Sequence, residues 1–390
     1  MPKSREFDVV VYGATGFTGR LVAEYLNERY GVGGDVKWAM AGRSAEKLAA
    51  VRDEMGIAKD VPLVVADADD PVSLRAMADR SRVVLTTVGP YQLYGEPLVA
   101  ACVAAGTDYV DLCGEPAWMR RMIDKYDAPA KNSGARIVFS CGFDSIPFDL
   151  GVLFAQEEAK KVLGAPAKRV KTRVRAMNGS FSGGTLASFK ETMAAAGRDP
   201  GIIQLLIDPF SLTPGFSGPP QPPGNKVYED PDLGWQAPFI MAPINTKNIH
   251  RTNALLGHPY GTDFVYDEMM IGGKGEQGRE TAEFFAGLDK AMASDPIKPG
   301  EGPSKEERDS GNYDVLILAE GPGGKSVRVG VSGDRDPGYG STSKIIAESA
   351  VCLVKDVPEG PAGITTPGAA MGRKLLDRLV AHAGLAFRVE

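Results

Sequence analysis

The run from Phe7 to Gly19 reads FDVVVYGATGFTG and predicts a buried strand that turns sharply into a helix. Val9, Val10 and Val11 are β-branched and are followed by a glycine, which is typical of a strand buried on both faces. Four apolar residues after the run recur at helical spacing, namely Leu21, Val22, Tyr25 and Leu26. The three glycines of the run therefore lie where the strand turns into the helix.

Gly13, Gly16 and Gly19, spaced three apart, have the properties that a pyrophosphate-binding turn requires. Gly13 can make the tight turn, Gly16 lets the phosphates approach the backbone, and Gly19 lets the helix pack closely. The free N–H groups at the helix N-terminus attract phosphate. The spacing differs from the commoner GxGxxG, and a tight turn that binds nothing is the alternative. The cofactor contacts expected here are Gly13, Thr15, Gly16, Phe17, Thr18 and Gly19.

Residues 7 to 150 alternate between strand-like and helix-like segments, a pattern typical of an α/β fold with a Rossmann-type, doubly wound parallel sheet. The further predicted strands lie at 36–40, 61–65, 82–87, 108–112 and 136–140. The predicted helices lie at 45–55, 95–105, 116–133 and 147–162. Ligands of such sheets bind in the crevice outside the carboxyl ends of the strands, so the residues after each strand are site candidates.

The tip of the second strand reads AGRS over residues 41–44 and carries no acidic residue. An acid here selects NAD by binding the ribose 2′-hydroxyl, whereas an arginine can pair with the 2′-phosphate of NADP. Arg43 therefore favours NADP(H), with a solvated surface arginine as the alternative. Ser44 is expected to cap the next helix beside the cofactor. Asp67, after the third strand, either contacts the adenine or is a plain loop residue.

The fourth strand ends in TVGPY over residues 87–91, at the same edge of the sheet. Gly89 and Pro90 let the backbone pass close to the nicotinamide, so Thr87, Gly89 and Pro90 are further candidate cofactor contacts. Tyr91 and Tyr94 are candidate proton donors or residues that stack on the substrate. Packing is the alternative role for each tyrosine.

The sixth strand ends in a loop that contains Asp144 and Ser145, before a helix that starts near Pro147. Either residue can cap this helix, and capping is the alternative to catalysis. Their place at the crevice makes both candidate catalytic residues, Asp144 as a proton donor and Ser145 as a group that polarises a carbonyl. Because no histidine lies near Cys141 in the sequence, a buried structural thiol is favoured there over a nucleophile.

Beyond residue 165, alternating charged and apolar residues predict a half-exposed strand at 169–176, in an antiparallel or mixed sheet. Residues 201–210 are strongly apolar and form either a core helix or a hydrophobic lip for a lipid-like substrate or a membrane surface. Residues 209–245 predict a long loop and 295–311 an exposed one. The other predicted elements are helices at 183–196, 278–292, 341–355 and 369–383, a strand at 263–270 and a hairpin of 313–320 with 326–332.

A chain of 390 residues predicts two or three domains, and its 43% hydrophobic and 24% charged residues are ordinary for a globular protein. The formal net charge of −6 argues against nucleic acid as a partner, because phosphate contacts need clustered lysine and arginine. Four scattered cysteines and three histidines indicate neither a disulfide framework nor a metal site. We expect a cytoplasmic protein with no signal peptide and no membrane-spanning helix.

Taken together, these motifs resemble those of the saccharopine dehydrogenase-like oxidoreductases. The resemblance covers nearly the whole chain and extends to the branch that includes the trans-acting enoyl reductases of mycobacterial lipid synthesis. The substrate-anchoring arginine pattern of the amino-acid enzymes of this family is not recognisable. The segments that carry the resemblance are GATGFTG at 13–19, AGR at 41–43, VGPY at 88–91, GEPLV at 95–99, DYVD at 108–111, CGFDSIP at 141–147, GYG at 338–340 and TP at 366–367.

The resemblance implies an NADP-binding domain over residues 1–150, an inserted α+β domain for substrate binding and dimerisation over 151–340, and C-terminal helices over 341–390 that pack back on the first domain. It also implies a nicotinamide-dependent reduction, and we expect the target to be a C=C (enoyl) bond of a lipid or polyketide-like molecule. The expected partners are an apolar small molecule, a second copy of the chain in a homodimer, and weakly a membrane surface.

Two alternative functions remain at this point. The chain is either an amino-acid dehydrogenase acting on a C–N bond, or a cofactor- or lipid-binding protein that catalyses nothing. The lining of the pocket separates the amino-acid substrate from the lipid. A dicarboxylate substrate needs several basic side chains, whereas a lipid needs an apolar wall.

Overall fold

The computed structural model describes residues 5–179, 183–288 and 300–390, which form two sheets of seven strands each. The first sheet contains β1 (Phe7–Tyr12), β2 (Trp38–Gly42), β3 (Leu63–Val65), β4 (Ser81–Thr86), β5 (Asp108–Val110), β6 (Arg136–Val138) and β13 (Gly363–Thr365). The second sheet contains β7 (Arg169–Asn178), β8 (Tyr228–Asp230), β9 (Gly234–Pro238), β10 (Val265–Gly273), β11 (Asn312–Glu320), β12 (Ser326–Gly333) and β14 (Leu385–Val389).

Helices connect and cover these strands. In chain order they are α1 (Phe17–Tyr30), α2 (Ala45–Glu54), α3 (Pro71–Arg80), α4 (Tyr91–Ala105), α5 (Pro116–Ser133), α6 (Ile146–Leu163), α7 (Gly183–Arg198), α8 (Pro200–Ile207), α9 (Ala242–Leu255), α10 (Gly275–Phe285), α11 (Lys305–Ser310), α12 (Thr342–Lys355), α13 (Pro367–Ala370) and α14 (Gly372–His382). A short turn of π-helix over Pro337–Ser341 precedes α12.

The first sheet has the strand order β13-β6-β5-β4-β1-β2-β3, and every pair in it is parallel. Val9 and Val11 belong to the core on one face, and Val10 belongs to the core on the other face. The three valines are thus apolar because both faces of β1 are covered by helices. This confirms the predicted doubly wound sheet. The strand order reverses between β1 and β4, and a ligand crevice is expected at that point.

The second sheet has the order β14-β12-β11-β7-β10-β9-β8 and is mixed, because β7 and β10 pair in parallel while the other neighbours are antiparallel. Helix α6 links the two sheets. It begins just after β6 of the first sheet and packs on β11 and β12 of the second. A Cβ added at Gly151 of α6 would lie 2.4 Å from Cδ1 of Ile317, so the helix lies directly on the strands.

The C-terminal part of the chain contributes to both sheets. Strand β13 pairs with β6, β14 pairs with β12, and α12 packs against α1 and β4. The hydroxyl of Tyr25 in α1 donates to the buried Glu348 of α12 at 2.6 Å, and Arg378 of α14 pairs with the same carboxylate at 2.7 Å. The division into domains at residues 150 and 340 stays a prediction.

Two predicted loops are wrong in part. The predicted loop 209–245 contains β8 and β9, because Glu229 and Trp235 pair across a tight hairpin that the neighbouring prolines obscured. The predicted loop 295–311 contains α11, whose N-terminus is capped by reciprocal hydrogen bonds between Ser304 and Glu307. Residues 295–299 of that prediction, and 289–292 of the predicted helix 278–292, lie outside the described residues.

The apolar residues 201–210 overlap α8, and the core-helix interpretation of them is wrong. None of the residues of α8 is buried, and Ile207 at its end is 70% exposed. None of the helices within the described ranges is long and apolar enough to cross a bilayer.

Candidate active site

The turn between β1 and α1 has the geometry of a phosphate cradle. Gly13 has a φ of +89°, which side chains rarely allow. A Cβ added at Gly19 would lie 2.1 Å from the Gly13 carbonyl oxygen, so only glycine lets the helix approach the turn this closely. Gly16 caps α1 without a side-chain hydrogen bond, and the phosphates of a dinucleotide can satisfy the N–H groups of the first turn.

Arg43 stands exposed at the carboxyl end of β2. Among the residues that the structure describes, none makes a hydrogen bond or an ion pair with its guanidinium. The hydroxyl of Ser44 accepts from the Lys47 N–H at 3.2 Å, which confirms it as the cap of α2. Asp67 accepts from the Asp69 N–H at 3.1 Å and leaves its second oxygen for a ligand. An unpaired arginine beside a phosphate cradle fits the 2′-phosphate of NADP.

Thr87, just after β4, closes the other side of the crevice. Its N–H donates to the Tyr12 carbonyl at 3.1 Å, and its hydroxyl lies 3.4 Å from the Gly13 carbonyl. Gly89 is exposed and Pro90 is half-buried at the start of α4. A Cβ at Gly89 would lie 3.7 Å from the Ser188 hydroxyl of α7, so this bend faces the second half of the molecule. The structure thus brings Gly13, Gly19 and Thr87 together.

A cavity of about 270 Å³ lies between the carboxyl edge of the first sheet and the second sheet. The first sheet contributes loop residues after β5 and β6, and the second contributes residues of β7, β10 and α10. The wall is mainly aliphatic and aromatic. The residues that line the cavity include Thr18, Leu112, Asp144, Met270, Phe285 and Tyr339. Because Thr18 lies in the first turn of α1, the cavity borders the phosphate cradle.

Asp144 is the one charged residue among the described residues that line this cavity. Its Oδ1 is inaccessible to water and has no hydrogen-bond partner within the described part of the chain. Burial raises the pKa of this carboxyl to about 7. Asp144 is therefore partly protonated near neutral pH, as a general acid requires.

Ser145, the neighbour of Asp144, does not reach the cavity. It is fully buried, and its hydroxyl accepts a hydrogen bond of 2.8 Å from the Asn248 side-chain amide of α9. Ser145 occupies the cap position of α6 but makes no capping bond with its side chain. Cys141 is buried as well, and burial raises the pKa of its thiol well above the ordinary range, which favours the structural interpretation.

Tyr91 lies in the core behind the crevice. Its ring packs on Trp118 with 5.7 Å between centroids, and its hydroxyl accepts from the Leu112 N–H at 3.1 Å. The main-chain N–H of Tyr91 donates to the buried Glu115 carboxylate at 2.8 Å. Burial raises the pKa of the Tyr91 phenol well above its ordinary value. Tyr94, in contrast, is 45% exposed. Neither tyrosine is among the residues that line the cavity.

Sequence reasoning gave no role to Tyr339, which the structure places at the cavity. Its ring meets the Phe17 ring edge-on at 5.2 Å, and its hydroxyl lies 3.1 Å from the Thr185 hydroxyl. Tyr339 and Thr185 are both among the residues that line the cavity. The signal in the sequence was Gly338-Tyr339-Gly340, but nothing in it indicated that the segment returns to α1.

Comparison with known proteins agrees with this geometry. Residues 9–138 match the family model of the saccharopine dehydrogenase NADP-binding domain, so the prediction of NADP(H) is confirmed. The chain is 42% identical to a Mycobacterium tuberculosis protein provisionally assigned as a trans-acting enoyl reductase, over 98% of this chain and 97% of that protein. It is 38% identical to the trans-acting enoyl reductase of Mycobacterium ulcerans, over 96% of each.

Two solved structures resemble the whole fold. The apo saccharopine dehydrogenase (L-Glu forming) of Saccharomyces cerevisiae has a TM-score of 0.54 at 11% identity, over 98% of this chain and 99% of that one. The homospermidine synthase of Legionella pneumophila in complex with NAD has a TM-score of 0.52 at 12% identity, over 100% and 92%. At such identities the likeness concerns the fold alone.

Proposed function

The chain belongs to the saccharopine dehydrogenase-like oxidoreductases, in the branch of the trans-acting enoyl reductases, and we propose that it reduces the C=C bond of an enoyl group on a lipid or polyketide-like substrate with NADPH. The observation that carries this proposal is the wall of the cavity beside the phosphate cradle. None of the described residues that line it is arginine or lysine. A dicarboxylate amino acid would leave its charges unpaired there, which costs free energy, whereas an acyl chain can pack against the apolar wall.

The chain's own residues hold the cofactor and the substrate. Gly13, Gly16, Gly19 and the start of α1 hold the pyrophosphate, with Thr15, Phe17 and Thr18 in the same turn. Arg43, next to Ser44, binds the 2′-phosphate, and Asp67 contacts the adenine. Thr87, Gly89 and Pro90 lie along the nicotinamide half. When bound, NADPH supplies the hydride.

Asp144 supplies the proton in this proposal. Reduction of an enoyl group adds a hydride at one carbon and a proton at the other, and Asp144 carries the one carboxyl group among the described residues that line the cavity. The hydroxyls of Tyr339 and Thr185 are assigned to the carbonyl oxygen of the substrate, where negative charge develops. Tyr91, Tyr94 and Ser145 are the other candidates from the sequence, and they do not line the cavity.

Consumption of NADPH, followed by its absorbance, tests the proposal with an enoyl thioester, a ketone and an imine. We expect turnover of the enoyl thioester alone. Asp144→Asn should lose turnover, and Tyr91→Phe should keep it, because the Tyr91 hydroxyl meets only main-chain groups. Turnover of the imine instead would indicate an amino-acid dehydrogenase. Binding of NADPH without any turnover would indicate a carrier. Loss of turnover in Tyr91→Phe would indicate that Tyr91, and not Asp144, is the proton donor.

We also propose two finer properties of the chain. The first is a homodimer, which rests on the sequence and is tested by analytical ultracentrifugation. The second is weak contact with a membrane surface, which is supported by the exposed apolar side chains of α8. Flotation with anionic vesicles tests the membrane contact. Ile207→Ser should reduce the fraction of protein that is bound to the vesicles. Equal flotation of both proteins, or none of the unmodified chain, would contradict the contact.

A further inference from the structure

A second, larger space opens on the far side of the cavity wall. This space, here called the acyl groove, has a volume of about 990 Å³ and lies between α8, the proline-rich residues 217–225 and α9. Ligand pockets usually measure about 300–1,000 Å³, so the groove is at the upper end of that range and the cavity is below it. The cavity alone is therefore too small for a lipid, and the groove is large enough for one.

The acyl groove and the cavity share part of their walls. Ile240, Phe285 and Leu288 line both spaces, so these three side chains form the partition between them. All three are apolar, and each is only partly buried. An acyl chain that has its reactive end beside Asp144 would have to pass between these three apolar side chains to reach the groove.

The charged residues on the groove wall are occupied by the protein itself. Nζ of Lys247 donates to the carbonyls of Leu206 and Pro243 at 2.8 and 3.0 Å. Asp267 pairs with Arg173 at 3.0 Å. Glu268 accepts from the Tyr266 hydroxyl at 2.6 Å and from the Asn245 amide at 3.0 Å. Each of these three side chains therefore makes hydrogen bonds or an ion pair within the protein.

Most of the rest of the groove wall is apolar, and its uncharged polar residues include Ser217, Gln221, Asn225 and Thr246. Phe210 and Phe239 are buried beneath it, and the end of α8 forms its rim with Leu206 and Ile207. Exposed apolar surface that borders a groove is typical of sites that bind an apolar ligand or partner. The end of the strongly apolar helix α8 thus lies at the groove instead of in a core.

We propose that the acyl groove binds the hydrocarbon tail of the substrate, so that the protein selects long-chain over short-chain acyl groups. The inference rests on the proposed function, since it assumes that the acyl head lies in the cavity. Each methylene that leaves water for the groove contributes about 0.8 kcal/mol, which corresponds to roughly fourfold in affinity. Affinity should therefore rise with chain length and level off once the groove is filled.

The test measures binding of saturated acyl-coenzyme A thioesters of increasing length by titration calorimetry, in the presence of NADP⁺. Thr246→Trp places a large ring in the groove, because Thr246 on α9 lines the groove and not the cavity. Thr281→Trp is the matched control, since Thr281 on α10 is equally half-buried and lines neither space. Far-ultraviolet circular dichroism establishes that both variants are folded.

We expect affinity to rise about fourfold per methylene in the unmodified protein and in Thr281→Trp. In Thr246→Trp the dependence on length should disappear while short thioesters bind as before. Affinity that is independent of length in the unmodified protein, or an equal loss for short and long thioesters in Thr246→Trp, would overturn the groove assignment. Length-dependent binding without reduction of any enoyl thioester would support the groove and overturn the proposed function, so the two failures are distinguishable.

Discussion

Replacing Arg43 by alanine should separate recognition of the cofactor's 2′-phosphate from every other property of the protein. The guanidinium is exposed at the end of β2, and no hydrogen bond or ion pair holds it in the described part of the chain. Removing a surface group without partners changes the free energy of unfolding by no more than about 0.5 kcal/mol. The substitution should therefore leave the fold intact.

The effect on NADPH binding is much larger. A hydrogen bond to a charged partner contributes about 1.5–3 kcal/mol, and a guanidinium on a phosphate is such a pair. The loss corresponds to roughly a 10- to 150-fold rise in the Kd for NADPH. NADH has no 2′-phosphate, so its Kd should change less than about threefold.

Titration calorimetry with NADPH and NADH measures both constants, and urea unfolding measures the stability. Lys37→Ala is the matched control, because Lys37 is an exposed cation at the opposite, amino end of β2. The control should bind both cofactors like the unmodified protein. Equal weakening of NADPH and NADH binding, or equal effects of the two substitutions, would refute the assignment of Arg43 to the 2′-phosphate.

Three further predictions concern Asp144 in the cavity and Gly19 in the turn. The pKa of Asp144 is raised to about 7 in the fold, so the stability from its bound proton is present at low pH and is lost as the pH rises from about 4 through about 7. Relative to the unmodified protein, Asp144→Asn should therefore gain about 2–3 kcal/mol of unfolding free energy between about pH 5 and about pH 8, measured with urea. A difference between the two proteins that stays constant with pH would contradict the burial of the carboxyl. Turnover that needs protonated Asp144 should fall above about pH 7, and Asp144→Asn should lower kcat about 10²- to 10⁴-fold. Gly19→Ala should destabilise the fold by about 1–3 kcal/mol and weaken NADPH binding, because the added methyl group meets the Gly13 carbonyl. The control Gly197→Ala should have neither effect, because no atom lies within 4 Å of the added carbon. Equal stability of the two variants in urea would show that the turn relaxes.

The first sheet could be predicted from the sequence because its signals are local. Each strand is a short apolar run, each helix has its own apolar face, and Ser44 marks a helix start through a bond to a residue three positions later. The phosphate turn could be predicted for the same reason, since Gly13, Gly16 and Gly19 are close in sequence. Such patterns do not depend on distant parts of the chain.

What the sequence could not predict depends on long-range contacts. Strands β13 and β14 are short, and their pairing partners are far away in the chain. Strands β8 and β9 are surrounded by proline and glycine, which usually indicate a loop. Residues 201–207 are as apolar as a core helix, yet none of them is buried, and no local pattern indicates that they lie at the surface.

The site shows the same division between local and distant information. Asp144 and Ser145 are neighbours, yet one faces the cavity and the other bonds to Asn248 of a distant helix. Tyr91 directly follows the crevice loop, but its hydroxyl turns to the Leu112 main chain. Tyr339 reaches the cavity only because the chain returns to α1. Which side chain faces a ligand therefore depends on tertiary packing that no local pattern contains.

The pairing of Gly363 with Arg136 also bears on how the protein is synthesised. On the ribosome, β6 has an unpaired edge while strands β7 to β12 are synthesised, because its partner β13 follows them in the chain. Closing so long a loop is entropically slow, and an unpaired edge invites association with other nascent chains. We therefore expect the first sheet to keep β6 as an exposed edge until β13 has left the ribosome.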